Sequence, residues 1–269
     1  MERRPTWMKT ILMLSLLPRR PGEFLDRISA VIASRRGACF PAGPAYNAVG
    51  VEAGMRELSG PLNSALDTHL RDVALAKIER DVRDKQSRLP ANAPFASSNN
   101  GDPSFARMCY LVARSLCPST VVETGVCYGV TSAFLLQALK VNGSGHLHSV
   151  DLPPLRKDAE LYVGRFVPAE LRGLWTLHRG SSRRILPPLL SKLGPIDIFV
   201  HDSLHTYRNM QNEFALAWAS LRPGAILISD DVAGNAAFLE LAARPDVARS
   251  VVINEQAKDS LFGVVVKGP

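Results

Sequence analysis

The segment VVETGVCYGVT, residues 121–131, decides how the rest of the chain is interpreted. Its first half is apolar and β-branched, which favours a strand, and its second half opens a helix. Gly125 permits a tight turn, and Gly129 lets a ligand come close to the backbone. The free N–H groups at the start of the helix favour an anion. The segment therefore predicts a strand–loop–helix unit with a ligand site in its loop.

Strand and helix patterns alternate from this unit to the end of the chain. The later strand patterns are HLHSVD (146–151), LWTLHRG (174–180), IDIFVHD (196–202), AILISDD (225–231) and the closing pair SVVINEQ and SLFGVVVK. Such alternation requires a parallel sheet covered on both faces, and ligands bind such sheets at the carboxyl ends of the strands. We predict an α/β fold whose parallel sheet ends in an antiparallel hairpin.

The first hundred residues have a different pattern. They contain a helical pattern at 21–36, a loop rich in Gly, Pro and Ala at 37–54, a long amphipathic helix that starts near Leu62 and frays at Leu89–Pro90, and linker composition at 90–103. We therefore divide the chain into an N-terminal helical segment with its linker, residues 1–103, and an α/β domain, residues 104–269. The N-terminal segment is expected to serve as a lid or as a homodimer contact.

Composition excludes several classes of protein. Hydrophobic residues at 46% and charged residues at 21% are typical of a globular chain rather than of disorder or a coiled coil. Of the net charge of +7, residues 1–40 carry +5, which suits a solvated basic face or peripheral contact with an anionic membrane. No nucleic-acid module is present in the sequence, so a nucleic-acid partner is not expected. The four cysteines, Cys39, Cys109, Cys117 and Cys127, lack disulfide or metal spacing, which indicates reduced thiols and a cytoplasmic location.

Acidic residues and a histidine follow two of the predicted strands. Asp202 and His205 come after IDIFVH, and Asp230 and Asp231 come after AILIS. If these strands are neighbours, all four groups meet at one edge of the sheet. Three converging carboxylates repel one another unless a cation lies among them. The sequence predicts a divalent-metal site formed by Asp202, Asp230 and Asp231, with His205 beside it.

Other strand ends suit a nucleotide-like cofactor. Glu123 precedes the glycine turn and suits a ligand with a positively charged amino group. The GxxxG spacing differs from the GxGxxG of dinucleotide loops. Asp151 ends the second strand, where an acid accepts hydrogen bonds from ribose hydroxyls, and Ser181 and Ser182 follow the third, where an adenine edge would lie. Asp202 is a further cofactor candidate, because acids at that strand end often contact one.

This constellation resembles the class I S-adenosylmethionine-dependent methyltransferases over residues 104–269. ETGVCYGVTS (123–132) looks like their first motif and HSVD (148–151) like their second. The closer likeness is to metal-dependent O-methyltransferases of the catechol O-methyltransferase type. The segment GSSRRILPPL (180–189) resembles the stretch of that family that contacts adenine. The resemblance implies a Rossmann-like, seven-stranded methyltransferase sheet, S-adenosylmethionine as the cofactor and Mg²⁺ as the metal.

The resemblance also implies roles for single residues. Glu123, Gly125 and Thr131 would meet the methionine part of the cofactor and Asp151 its ribose, while the three acids of the predicted metal site would hold Mg²⁺. His205 stands at the position of the catalytic base, where catechol-type enzymes carry lysine. The aspartate-x-x-histidine pattern is similar to magnesium-dependent O-methyltransferases that act on sugars. The expected acceptor is a hydroxyl of a sugar-containing molecule, such as a glycoconjugate, or of a small phenol.

Three other interpretations fit parts of the sequence. A non-catalytic binding module could keep the cofactor fold and engage a partner through its N-terminal helices, but neither the acids nor the glycine loop is lost. A methyltransferase without a metal would use His205 alone. A nicotinamide-dependent dehydrogenase would share the type of sheet, but the GxxxG spacing and the closing hairpin disfavour it.

Overall fold

A seven-stranded sheet forms the centre of the molecule in the computed structural model, which describes residues 13–36, 43–58, 66–95, 102–156, 158–256 and 260–269. Its strands are β1 (Thr120–Thr124), β2 (His146–Asp151), β3 (Trp175–Arg179), β4 (Ile196–His201), β5 (Leu221–Ser229), β6 (Val247–Asn254) and β7 (Leu261–Lys267). They lie in the order β3-β2-β1-β4-β5-β7-β6. β1 to β5 run parallel, and β7 is antiparallel to both of its neighbours.

The strand order places the functional edge of the sheet. It reverses direction between β1 and β4, so the carboxyl ends of these two strands border the crevice in which such folds bind ligands. The predicted parallel sheet with an antiparallel closing hairpin is confirmed.

Helices cover both faces of the sheet. They are α1 (Pro21–Arg36), α2 (Val51–Leu58), α3 (Leu66–Leu70), α4 (Val73–Ser87), α5 (Pro103–Leu116), α6 (Val130–Asn142), α7 (Ala159–Tyr162), α8 (Ser182–Leu193), α9 (Tyr207–Ser220) and α10 (Ala237–Ala242). Alternate strand residues divide between the faces, as the two-residue period of a strand requires. Val121 and Ile198 pack beneath α5 and α6, whereas Val122 and Phe199 pack beneath α8 and α9.

The N-terminal segment packs on the sheet domain. Met55 of α2 and Ile78 of α4 are buried in the same apolar cluster as Val121 of β1, so the segment and the domain share one core. Burying these side chains contributes about 1.5–3 kcal/mol each. No described helix is long and apolar enough to cross a membrane.

Two predictions for this segment were wrong. Residues 37–54 were expected to be a loop, yet α2 begins at Val51. The single long helix from Leu62 is divided into α3 and α4, although residues 59–65 lie outside the described part. The division occurs at Asp72, whose carboxylate caps α4 through the Ala74 N–H and also accepts a hydrogen bond from the Tyr110 hydroxyl.

Three of the four cysteines lie in the described part of the chain. Cys109, Cys117 and Cys127 form no disulfide, and Cys39 lies outside the described residues.

Candidate active site

The glycine loop between β1 and α6 is held tightly against the rest of the domain. Gly125 and Gly129 both have φ of +84°, a conformation that favours glycine. A Cβ atom on Gly125 would lie 1.8 Å from the carbonyl oxygen of Asp202, and one on Gly129 would lie 2.8 Å from the Cα of Gly164. Glycine is therefore required at both positions. Because Gly125 has no side chain, the loop can also contact the turn that carries Asp202.

Glu123 lies fully buried beneath this loop. One carboxylate oxygen, Oε2, accepts hydrogen bonds of 2.6 Å from the hydroxyls of both Ser132 and Ser149. The other, Oε1, is buried and accepts no hydrogen bond from any described residue. Burial raises the pKa of Glu123 to about 7, although the two serine hydroxyls favour the ionised form. The unused oxygen fits the predicted role of Glu123 toward a cofactor amino group.

Asp151 also combines a structural contact with an unused oxygen. Its Oδ1 accepts a hydrogen bond of 3.1 Å from the Val126 N–H in the glycine loop. Its Oδ2 is buried and has no hydrogen-bond partner among the described groups. Burial raises the pKa of Asp151 to about 6. One side of this carboxylate thus orders the loop, and the other remains able to accept hydrogen bonds from ribose hydroxyls.

The remaining predicted cofactor residues lie along the same edge. Thr131 is buried in the first turn of α6, directly after the glycine loop. Ser181 precedes α8, and its buried hydroxyl makes no hydrogen bond within the described structure, while Ser182 is the first residue of that helix. The structure therefore brings all predicted cofactor residues to the carboxyl ends of β1, β2, β3 and β4.

An acid–histidine cluster lies where β4 and β5 end. The two strands pair in register up to His201 and Ser229, so the residues that follow them are adjacent. Asp202, His205 and Asp230 each offer one ligand atom, and these atoms lie within 4.8 Å of one another. Asp230 is only 2% exposed, and its Oδ1 has no hydrogen-bond partner in the part of the chain that the structure describes.

The structure separates Asp231 from this cluster. Asp231 has a left-handed backbone conformation, with φ of +49°, and its side chain is 44% exposed. Its Oδ2 lies 2.6 Å from Nδ1 of His205, and its Oδ1 accepts a hydrogen bond from the Ser260 hydroxyl. Of the three predicted metal ligands, Asp202 and Asp230 are therefore together, whereas Asp231 contacts the histidine.

The donor set fits a divalent cation. Two carboxylates supply the oxygen ligands that Mg²⁺ prefers, and the imidazole nitrogen of His205 would also suit a transition metal. His205 Nε2 is buried, makes no hydrogen bond to any described residue and lies 3.8 Å from Oδ1 of Asp202. Buried polar atoms of this kind are rare in proteins unless a ligand, ion or water satisfies them.

Sequence reasoning missed two charged groups that support this edge. Glu213 lies among the apolar residues of α9, and its carboxylate is fully buried beside His201. Glu23 of α1 accepts hydrogen bonds from Arg27 and from Arg179 at the end of β3. Burial would raise the pKa of Glu23, but these two arginines outweigh it and lower that pKa to about 2. No local signal in the sequence indicated that Glu213 contacts His201 or that Glu23 contacts Arg179, because these partners are 12 and 156 residues apart along the chain.

One family model matches the central part of the α/β domain. Residues 122–232 match the model of a family described as a methyltransferase domain. No curated protein matches the chain in sequence.

Solved structures with the same fold include several methyltransferases. The O-methyltransferase TomG from Streptomyces achromogenes, involved in tomaymycin synthesis and solved with S-adenosylmethionine, is 20% identical, with a TM-score of 0.52 over 81% of this chain and 96% of its own. An O-methyltransferase from Bacillus cereus, solved with S-adenosylhomocysteine, is 18% identical, with a TM-score of 0.55 over 81% of this chain and 99% of its own. A methyltransferase from Geobacter sulfurreducens is 19% identical, with a TM-score of 0.51 over 84% of this chain and 100% of its own. These likenesses establish the shared fold.

Proposed function

We propose that this chain, a class I S-adenosylmethionine-dependent methyltransferase by its domain match and its fold, methylates a hydroxyl group with the help of a divalent cation and His205. The observation that carries the proposal is the placement of His205. One of its ring nitrogens contacts Asp231, and the other faces Asp202 beside the glycine loop.

His205 has the surroundings of a general base. An ionised carboxylate has no proton to donate and therefore acts only as an acceptor. The 2.6 Å contact with Asp231 thus assigns the proton of the neutral imidazole to Nδ1. The lone pair then lies on Nε2, which is buried and without a hydrogen-bond partner among the described residues. Nε2 can take the proton of an acceptor hydroxyl placed at the end of β4. Such proton transfer contributes about 100- to 10,000-fold to the rate of an enzyme.

Asp202 and Asp230 are the residues that would hold the cation. A bound Mg²⁺ would supply positive charge that lowers the pKa of the acceptor hydroxyl and orients it. Asp230 contributes a buried oxygen with no described partner, and Asp202 sits against the glycine loop. Asp231 acts on His205 in this scheme, where it fixes the tautomer and orientation of the ring.

The cofactor would occupy the edge formed by β1, β2 and β3. S-adenosylmethionine would supply an electrophilic methyl group there. Glu123 would bind the amino group of its methionine part, Asp151 the ribose hydroxyls, and Ser181 the adenine edge, since each keeps a buried polar atom without a partner in the described structure. The contact between Gly125 and the carbonyl of Asp202 brings this site directly against the acid–histidine cluster.

The acceptor class we propose is a sugar-containing molecule or a small phenol. The Asp202-x-x-His205 spacing supports a sugar hydroxyl. Residues near the acceptor side come partly from the N-terminal segment, because Gly43 packs on the turn after β5 at Ala233. This contact supports a role for that segment in covering the acceptor.

The proposal is tested by methyl transfer and by binding. Full-length protein would be incubated with methyl-labelled S-adenosylmethionine and a panel of sugar-containing and phenolic acceptors, with Mg²⁺ or with EDTA. We expect label in an acceptor hydroxyl that requires both Mg²⁺ and His205. The His205→Ala variant should lose transfer but keep cofactor affinity, whereas His146→Ala, at the opposite end of β2, should retain both. Transfer that persists in EDTA would favour a metal-free enzyme with the His205–Asp231 pair, and failure to bind the cofactor would overturn the proposal.

A further inference from the structure

A buried acid in α9 collects hydrogen bonds from four side chains. Glu213 is fully buried. Its Oε2 accepts hydrogen bonds from the Thr124 hydroxyl at 2.6 Å and from Nδ1 of His201 at 2.7 Å. Its Oε1 accepts them from the Ser203 hydroxyl at 2.8 Å and from the Asn209 amide at 2.9 Å. Both oxygens of this carboxylate are thus satisfied, in contrast to Asp151 and Asp230 of the site.

The four donors lie next to the functional residues rather than elsewhere in the core. Thr124 directly precedes Gly125 of the glycine loop. His201 and Ser203 flank Asp202 on both sides in the chain. Asn209 also donates a hydrogen bond of 3.0 Å to the carbonyl oxygen of Leu204, the residue before His205. One carboxylate therefore links the end of β1 to the turn that carries Asp202 and His205.

The free-energy cost of burying the Glu213 carboxylate indicates that the charge has a specific role. Burying a carboxylate costs several kcal/mol, and well-packed apolar residues often fill such a position at no loss of stability. Burial would raise the pKa of Glu213, but the charge and hydrogen bond of His201 outweigh it and lower that pKa to about 2. The group therefore stays ionised and attracts all four donors. Apolar packing could fill the space but could not orient a polar turn.

We propose that Glu213 is a positioning residue, which fixes the turn formed by residues 202–206 so that Asp202 and His205 keep the geometry of the site. The chemical purpose of that geometry rests on the proposed function. The restraint on the turn itself does not, because it follows from the hydrogen bonds alone.

The test compares Glu213→Gln with a matched control, Asp197→Asn. Glutamine keeps the size of the side chain but directs an NH₂ group at donors that need an acceptor. Asp197 is also a buried, multiply bonded acid, since it accepts hydrogen bonds from the Ser119 and Thr120 N–H groups and from Arg222, but it lies at the opposite end of β4. Both variants should lose some overall stability, so the control separates general weakening from an effect on the turn.

Native-state hydrogen exchange and cation binding are the readouts. In Glu213→Gln we expect the amides of residues 202–206 to exchange at least tenfold faster relative to those of β2, and the affinity for Mn²⁺ or Mg²⁺ to fall at least tenfold. The affinity for S-adenosylhomocysteine should stay within threefold, because its predicted contacts lie mainly on β1 to β3. Asp197→Asn should leave the relative exchange of the turn and the cation affinity unchanged.

Two outcomes of the exchange experiment would overturn the proposal. Equal acceleration in both variants, or an unchanged turn in Glu213→Gln, would overturn the proposal and leave Glu213 as an ordinary stabilising residue. If Glu213→Gln does not fold, Ser203→Ala replaces it, because it removes the hydrogen bond by which Glu213 holds the turn and should still speed exchange there. If the wild-type protein binds no cation, the metal in the proposed function is refuted, while the exchange data still decide the role of Glu213.

Discussion

Replacement of Glu123 by glutamine should shift the free energy of unfolding of the cofactor-free protein, relative to wild type, by ~3 kcal/mol in favour of the variant between pH 4.5 and pH 8. The wild-type carboxyl group is fully buried, and burial raises its pKa from 4.5 to about 7. Between these two values the folded state holds a proton that the unfolded state has released. The free energy of unfolding of the wild type therefore falls as the pH rises through this window.

The size of the effect follows from the two pKa values. At about 1.4 kcal/mol per pH unit, a rise from 4.5 to about 7 removes ~3 kcal/mol of stability from the wild type by pH 8. Glutamine does not titrate, and its carbonyl oxygen can still accept the hydrogen bonds of Ser132 and Ser149. A buried NH₂ group without a partner would cost about 1–3 kcal/mol at every pH, so the change of the difference with pH is the informative quantity.

Urea unfolding of both proteins at pH 5, 6, 7 and 8, without cofactor, measures this difference. Glu23→Gln serves as a control of opposite sign, because arginine contacts outweigh burial and lower the pKa of Glu23 to about 2. Its contribution to stability is complete above pH 4.5 and is lost as the pH falls toward 2, so its difference from wild type should stay flat from pH 5 to 8. A Glu123→Gln difference that is equally flat would refute the argument that burial penalises the Glu123 carboxylate.

Three further predictions concern the cofactor and the base. Gly125→Ala should abolish cofactor binding in a calorimetric titration, because the new Cβ would lie 1.8 Å from the carbonyl oxygen of Asp202; near-normal affinity would show that the loop can relax. Asp231→Asn should lower the transfer rate about 100-fold or more without changing cofactor affinity, because an amide does not fix the proton on Nδ1 of His205; an unchanged rate in a steady-state assay would exclude that role. Affinity for S-adenosylhomocysteine should rise from pH 5 to 7, because burial raises the pKa of Asp151 to about 6 and only the ionised carboxylate accepts both ribose hydroxyls; Asp151→Asn should weaken binding and reduce this dependence.

Much of the fold could be predicted because its signals are local. β-branched apolar runs such as VVET and IDIFVH form strands at the predicted places, and the glycine loop opens α6 as the sequence predicts. The wrong predictions fall where distant contacts decide the structure. The boundary between α3 and α4 depends on Asp72. Its carboxylate is held by Tyr110 and Arg114 of α5, which lie 38 and 42 residues further along the chain.

The candidate site shows the same division. The chemical groups at the strand ends could be named from the sequence, since parallel strands direct their carboxyl ends to one edge. The contact partner of each group could not be named from the sequence. The left-handed backbone of Asp231 and its contact with Ser260 pair this acid with His205, while Asp202 and Asp230 remain adjacent.

The sequence by itself therefore determined the order of strands and helices, the glycine loop and the set of polar groups at one edge of the sheet, because hydrophobic period and turn chemistry act over a few residues. The tertiary structure alone decided which groups touch. Glu213 lies between the ends of β1 and β4 once α9 packs on the sheet, and α1 meets the end of β3 through the ion pair of Glu23 with Arg179. Such contacts depend on how whole elements pack, and packing is a property of the folded chain rather than of any short segment.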